Sequence, residues 1–332
     1  MPSNTTPSRH PTGSVVTIGE TMALLTAPDR GLHSGSCLPI GIGGAESNVA
    51  IGLARLGVDS TWISRLGADA FGALITRELR AEGVRVIAEQ DSTAPTGLMV
   101  KEHRGGTPRR VRYYRSNSAA SQLSDVDVDE PVIGAAQVLH VTGITPALGQ
   151  GPLQAIRRAI DVARRAGTFI SFDVNYRATL WPPEEASAVL SHLAGEVDLI
   201  FAGPEEAALP LGWKQEPGAP TWEDGEHLGR GLAKLGPATV VVKLGALGSL
   251  AVQGGQVHRA PTQPVTVIDA VGAGDAFVAG YLSEHVTGAS VPDCLRMGNI
   301  LGGAVCEQPG DWEGLPTRDE LAEDGSLRDI LR

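Results

Sequence analysis

From Val138 onward the chain alternates short, β-branched apolar runs with longer segments of helical apolar spacing. Runs 138–142, 168–173, 199–202 and 239–243 read as strands, and 153–166, 184–193 and 222–235 as helices between them. Gly167 and Gly236 follow two of these helices, where a C-cap glycine belongs. Strands joined through helices run parallel, because each helix carries the chain back across a sheet face. The repeat therefore predicts a doubly wound α/β sheet flanked by helices on both sides. Earlier segments fit the same plan. A strand is expected over 15–19, a helix over 49–56 before Gly57, a strand over 61–65 and a helix over 70–82 before Gly83. Later, 265–268 reads as a strand, and 273–285 and 291–306 as helices.

Two stretches break the alternation. Residues 31–42 and 96–118 are extended and turn-rich, with no helical period. The second carries apolar 97–100, a charged turn at 104–106, then 111–115, which together read as a hairpin. The two stretches are expected to form a small β-sheet lid standing off the main domain. Residues 1–13 read as a disordered polar tail, 14–310 as the folded domain, and 311–332 as a charged C-terminal tail.

Composition excludes several functions. With 27 Lys+Arg against 38 Asp+Glu the formal charge is −11, which argues against nucleic-acid or membrane-surface partners. A local basic pocket for a small anion remains compatible with it. Cys37, Cys294 and Cys306 are scattered, and no metal-binding spacing occurs, so neither a disulfide framework nor a zinc site is indicated. No apolar run reaches membrane-span length. A soluble, reduced, cytoplasmic protein is expected.

The densest chemical signal is Asp269-Ala-Val-Gly-Ala-Gly-Asp275, entering a helix. Gly272, Ala273 and Gly274 let the backbone approach a ligand, and the unpaired amides of a helix start suit a phosphate. Asp275 in the first turn is placed to take a proton from a hydroxyl while those amides hold a transferring phosphoryl group. The same residues also read simply as a capped helix start. A second stretch, Gly41-Ile-Gly-Gly-Ala-Glu-Ser-Asn48, precedes the first helix. There Gly43 and Gly44 allow close approach, and Asn48 can both donate to and accept from a polyol. Neither the Walker A spacing nor GxGxxG is present.

Together, in this order, the two stretches resemble the signatures of the ribokinase-like (PfkB) carbohydrate kinases, over about residues 14–310. The resemblance implies an α/β ribokinase-like fold with a β-sheet lid and Asp275 as catalytic base, with 272–274 as the anion hole. It implies ATP and magnesium as cofactors and leaves potassium dependence open. It places Asn175, Lys243, Gly245, Gly248, Gly272, Gly274 and Asn299 on the ATP side. It also assigns Glu206 to the metal, acting through water, although Gly203 stands where the family commonly has Asn. Ala270 and Val271 stand where the family more often has hydroxyl residues.

Two further stretches bear on the substrate. Tyr113-Tyr-Arg-Ser-Asn-Ser-Ala-Ala-Ser121 and Asp173-Val-Asn-Tyr-Arg-Ala-Thr-Leu-Trp181 each bring an arginine, Arg115 and Arg177. A guanidinium fork suits a carboxylate, whereas a neutral sugar has no need of one. Either arginine could instead serve ATP or a salt bridge. Both stretches are similar to elements of the 2-keto-3-deoxygluconate kinase branch, which implies sugar-acid contacts at Tyr114, Arg115 and Arg177. Neutral-sugar kinases, deoxyketogluconate kinases of inositol breakdown, and a non-catalytic sugar-binding protein are the alternatives. Family members often pair through their lids, so a homodimer or higher assembly is expected.

Overall fold

The computed structural model describes residues 13–28, 31–104, 107–213 and 218–323. The chain begins with β1 (Ser14–Ile18), β2 (Met22–Thr26), β3 (Ile40–Gly43), α1 (Ala45–Arg55), β4 (Asp59–Gly67), α2 (Ala70–Ala81) and β5 (Arg85–Asp91). There follow β6 (Leu98–Arg104), β7 (Thr107–Tyr114), α3 (Glu130–Ala135), β8 (Val138–Thr142), α4 (Gln150–Ala166), β9 (Phe169–Asp173) and α5 (Pro183–Ala194). The remainder is β10 (Leu199–Ala202), α6 (Pro204–Leu211), α7 (Trp222–Ala233), β11 (Thr239–Lys243), β12 (Ser249–Gln253), β13 (Gln256–Ala260), α8 (Ala273–His285), α9 (Val291–Cys306) and α10 (Arg318–Glu323).

Nine strands form one sheet in the order β13-β12-β11-β10-β9-β8-β1-β4-β5. Every neighbouring pair from β11 to β5 is parallel, and β12 and β13 append an antiparallel edge. Side-chain alternation divides each strand between two cores. Val15, Trp62, Val138 and Phe201 pack under α1, α8 and α9. Val16, Ile63, Leu139 and Ile200 face the opposite way, under α4 to α7. Phe201 makes edge-on contacts to Phe277 and Tyr281 of α8, which is apolar on nearly every side and buried accordingly. No helix among the described residues is long and apolar enough to cross a membrane.

The second sheet has four strands in the order β3-β2-β6-β7. β6 and β7 pair antiparallel from Leu98–Tyr114 outward, as the hairpin reading expects. Its turn residues 105 and 106 lie outside the described residues. The other half of this sheet differs from expectation. Residues 31–39 form no strand, and only Ile40–Gly43 pairs, with Met22–Thr26, a strand the sequence reading did not identify. Met22, Leu24 and Met99 form its small apolar core.

Three more expectations are corrected. The 265–268 run is not a strand: Val267 and Ile268 are exposed, and Pro261 and Pro264 deprive the segment of ladder donors. It is fastened instead by the Ile268 amide donating to the Cys306 carbonyl at 2.7 Å. The first helix begins at Ala45, not Val49, with extended Gly44 as N-cap. The charged segment expected as a tail from 311 packs onto the domain, since Asp311, Trp312, Leu315 and Leu321 are buried, and it carries the short helix α10. The Trp312 indole donates to the Ile42 carbonyl at 3.0 Å, which stitches this segment to β3. The rest of the expected tails, residues 1–12 and 324–332, lies outside the described residues.

Candidate active site

The sheet order reverses between β1 and β8, because the chain builds outward to β4 and β5 on one side and to β9, β10 and β11 on the other. At such a switch point the loops leaving the carboxyl ends of the strands part and open a crevice. Glu46 of α1 spans it, wholly buried, accepting from Thr142 Oγ1 at 2.6 Å and Thr145 Oγ1 at 2.9 Å. Burial pushes its carboxyl pKa up in spite of these bonds. Gly44 makes the approach of α1 possible, since a Cβ there would fall 2.2 Å from the Glu20 carbonyl oxygen.

Asp275 sits in the first turn of α8, 8% exposed. Asn48 donates to its Oδ2 at 2.9 Å and Asn175 to its Oδ1 at 3.4 Å. Asn175 reaches it from a left-handed backbone conformation, φ 39°, which asparagine tolerates better than most residues. Burial is the largest influence on Asp275 and pushes its pKa up to about 7, against the opposing pull of Asn48, Arg177 and Lys243. A carboxylate so poised can accept a proton near neutral pH. Gly272, at φ 80°, turns the chain into α8 and leaves the Gly274 and Asp275 amides without helical acceptors. Lys243 at the end of β11 bonds Asp173 at 2.8 Å. Burial works against the lysine charge, but Asp173, Glu206 and Asp275 outweigh it and hold its pKa above the ordinary value.

Two hollows meet here. A small cavity of about 80 Å³ is lined by Gly43, Gly44, Asn48, Met99, Tyr113, Arg115, Arg177, Gly272, Asp275 and Asp311, among others. A broader groove of about 540 Å³ is lined by Arg177, Gly203, Glu206, Lys243 and Gly245, among others. Arg177 borders both. A third hollow, between α3 and α4, shares none of these residues.

The structure sorts the expected residues. Gly43, Gly44, Asn48, Arg115, Arg177, Gly272 and Asp275 come together on the cavity, and Lys243, Gly245 and Glu206 on the groove. Gly274 stands between them, where a Cβ would lie 3.5 Å from Lys243 Nζ. Gly248 closes the loop after β11 at φ 116°, with no room for a Cβ beside the Ala260 carbonyl. Tyr114 is corrected. It is 60% exposed and lines neither hollow, whereas Tyr113 lines the cavity. The cause is strand alternation: Tyr113 pairs with cavity-lining Met99, and Tyr114 pairs with Leu98. Arg115 is held by buried Glu20 and lies over the Tyr113 ring at 5.8 Å. Asn299 lines neither hollow and donates to the Ala260 carbonyl at 2.8 Å. Asn175 is likewise absent from the groove lining and faces Asp275. Glu206 accepts from the Gly203 amide at 2.7 Å, capping its own helix.

Sequence reasoning missed Asp311, Lys101 and the structural role of Asp269. Lys101 Nζ contacts the Asp269 carboxylate closely and Asp311 Oδ1 at 3.1 Å. The one available signal was a lysine interrupting an apolar strand, Gly97-Leu-Met-Val-Lys101.

A carboxylate with a pKa near 7, free helix-start amides and a cation-bordered groove, set at the switch point of a doubly wound sheet, define a small-molecule kinase. The comparisons agree. Residues 12–318 match the model of the pfkB family carbohydrate kinases, and the chain belongs to that family. It is 40% identical over 322 residues to a 2-dehydro-3-deoxygluconokinase of Bacillus subtilis, covering 92% of this chain and 94% of that one. It is 33% identical over 313 residues to a 2-dehydro-3-deoxygalactonokinase of Haloferax volcanii, covering 93% and 96%. The solved structure of a 2-dehydro-3-deoxygluconokinase from Thermotoga maritima superposes with TM-score 0.84 at 27% identity, covering 95% of this chain and 98% of that one. The protein is a carbohydrate kinase with the ribokinase-like fold.

Proposed function

We propose that this carbohydrate kinase transfers the γ-phosphoryl group of ATP to the terminal primary hydroxyl of 2-keto-3-deoxygluconate. The observation that carries the reading is the pairing, on one small cavity, of the Asp275 carboxylate with two guanidinium groups, Arg115 and Arg177. A sugar acid presents a hydroxyl for the first and a carboxylate for the others. The names of the Bacillus and Thermotoga relatives support the same substrate.

Asp275 takes the hydroxyl proton as the oxygen attacks, with Asn48 and Asn175 fixing its two oxygens. The Gly274 and Asp275 amides meet the charge that develops on the transferring group. Lys243 and Gly245 favour polyphosphate in the groove, through an ammonium and a backbone without a side chain in the way. No cluster of metal-ligating side chains occurs among the described residues, so magnesium fits as an ion carried mainly by phosphate and water, with Glu206 bordering its path. When bound, it screens the phosphate charge and orients the transferring group.

Arg115 is already engaged by Glu20, so Arg177 gives the cleaner test. Arg177→Ala should raise KM for the acid sugar by roughly 10–100-fold, as loss of a charged hydrogen bond does. KM for any neutral sugar that turns over should barely move. Equal effects on both would overturn the carboxylate role. The substrate itself is settled by ADP release with 2-keto-3-deoxygluconate, its galactonate epimer, 5-keto-2-deoxygluconate, fructose and ribose, with and without magnesium. A preference for fructose or ribose would refute the acid-sugar reading while leaving the kinase in place.

A further inference from the structure

We propose that Lys101 is a positioning residue. Its ammonium, delivered by the small sheet, fixes the loop that opens α8 and so sets the geometry of phosphoryl transfer. The proposal rests on reading 272–275 as the anion hole.

Lysine is almost never fully buried unless it is paired, and the Lys101 side chain is 3% exposed. It lines neither the cavity nor the groove, so its charge is not spent on a ligand. Its partners, Asp269 and Asp311, are buried too. Asp269 opens the loop and holds it from within: Oδ1 accepts from the Val271 amide at 3.1 Å and Oδ2 from the Gly310 amide at 3.5 Å. Asp311 backs the loop from outside, so tightly that a Cβ on Gly272 would fall 1.8 Å from its carbonyl oxygen. The ammonium thus joins the two segments that enclose Gly272.

Without it, two buried carboxylates would be left facing one another uncompensated, and the loop would move to part or hydrate them. Burial already pushes the Asp311 carboxyl pKa up, with Lys101 opposing. One strand serves both ends of this arrangement. Met99 and Lys101 are two apart on β6 and share a face; the first lines the sugar cavity and the second holds the loop. Lys101 therefore couples the small sheet to the anion hole, beside the Trp312 bond to β3.

Lys101→Met removes the charge and keeps the apolar stem. It should lower kcat by roughly 100-fold, as displacement of a reacting geometry does, while sugar affinity measured by calorimetry changes far less. Hydrogen exchange should quicken together in 98–104 and 269–276 and stay unchanged in core strand 138–142. In Lys101→Ala, added ammonium or potassium should restore part of kcat, and bulky tetramethylammonium should not. The idea is overturned by a Lys101→Met kcat within about twofold of wild type, since a misplaced anion hole costs far more. It is equally overturned if exchange quickens in 98–104 alone, or if a folded Lys101→Ala enzyme responds to no small cation. The exchange measurement needs no turnover, so it decides the coupling even if wild type phosphorylates none of the sugars tried.

Discussion

Asp275 owes its raised pKa to where it is buried. Asn48, Arg177 and Lys243 favour its charged form, yet removal from water, helped by the Asp173 charge, prevails and lifts its pKa to about 7. The base acts in its ionised form, so activity is lost as pH falls through its folded pKa. kcat/KM should therefore fall tenfold per unit below about pH 7. A pH–rate profile that stays flat down to pH 5 would contradict the assignment. Asp275→Asn should cost about 10²–10⁴ in kcat, the usual worth of a positioned base. Calorimetry should find sugar binding little changed, and surviving turnover would show that the base lies elsewhere. Asp275 and Asn48 were legible in the sequence because each sits in a run of small residues leading into a helix. Lys101 and Asp311 were not. Their contacts reach across 168 and 210 residues, and no local spacing encodes such a pair. Which of Tyr113 and Tyr114 faces the cavity was not legible either: adjacent tyrosines on a strand differ only in face, and register is set by the partner strand.

Among the elements, strands and helices from Val138 onward could be read because their periods are local and glycine marks their ends. The small sheet was half legible. Its hairpin carries turn chemistry, but β2 is five residues whose partners, β3 and β6, are chosen by tertiary packing. The 265–268 run shows the converse, where apolar residues without a strand to pair with remain a fastened coil. The entry into α8 is the most constrained of these elements. Gly272 has a left-handed backbone and a carbonyl where a side chain would go. Gly272→Ala should lose roughly 1–3 kcal/mol to backbone strain, and more to the clash with residue 311. Denaturant midpoints would register this as a clear downward shift, with activity lost in step. Unchanged stability would mean the loop can reorganise freely and that its conformation is not what the site depends on.

At the level of the whole molecule, the residues after α9 belong to the fold. The Trp312 ring packs beneath the Arg55 guanidinium at 5.1 Å and its indole donates to β3, while Asp311 lines the cavity. A chain ending at Gly310 should lose at least about 3–5 kcal/mol, the scale for deleting one large buried aromatic. Equilibrium unfolding of the shortened chain tests this, and a midpoint equal to that of the full chain would refute it. The pairing of Asn48 with Asp275, 227 residues apart, also has a meaning in time. At synthesis rates of about 5–20 residues per second, on the order of 10–45 s separates the making of the two. Throughout that interval α1 exists without the carboxylate that Asn48 holds, so the crevice is completed only after α8 has been made.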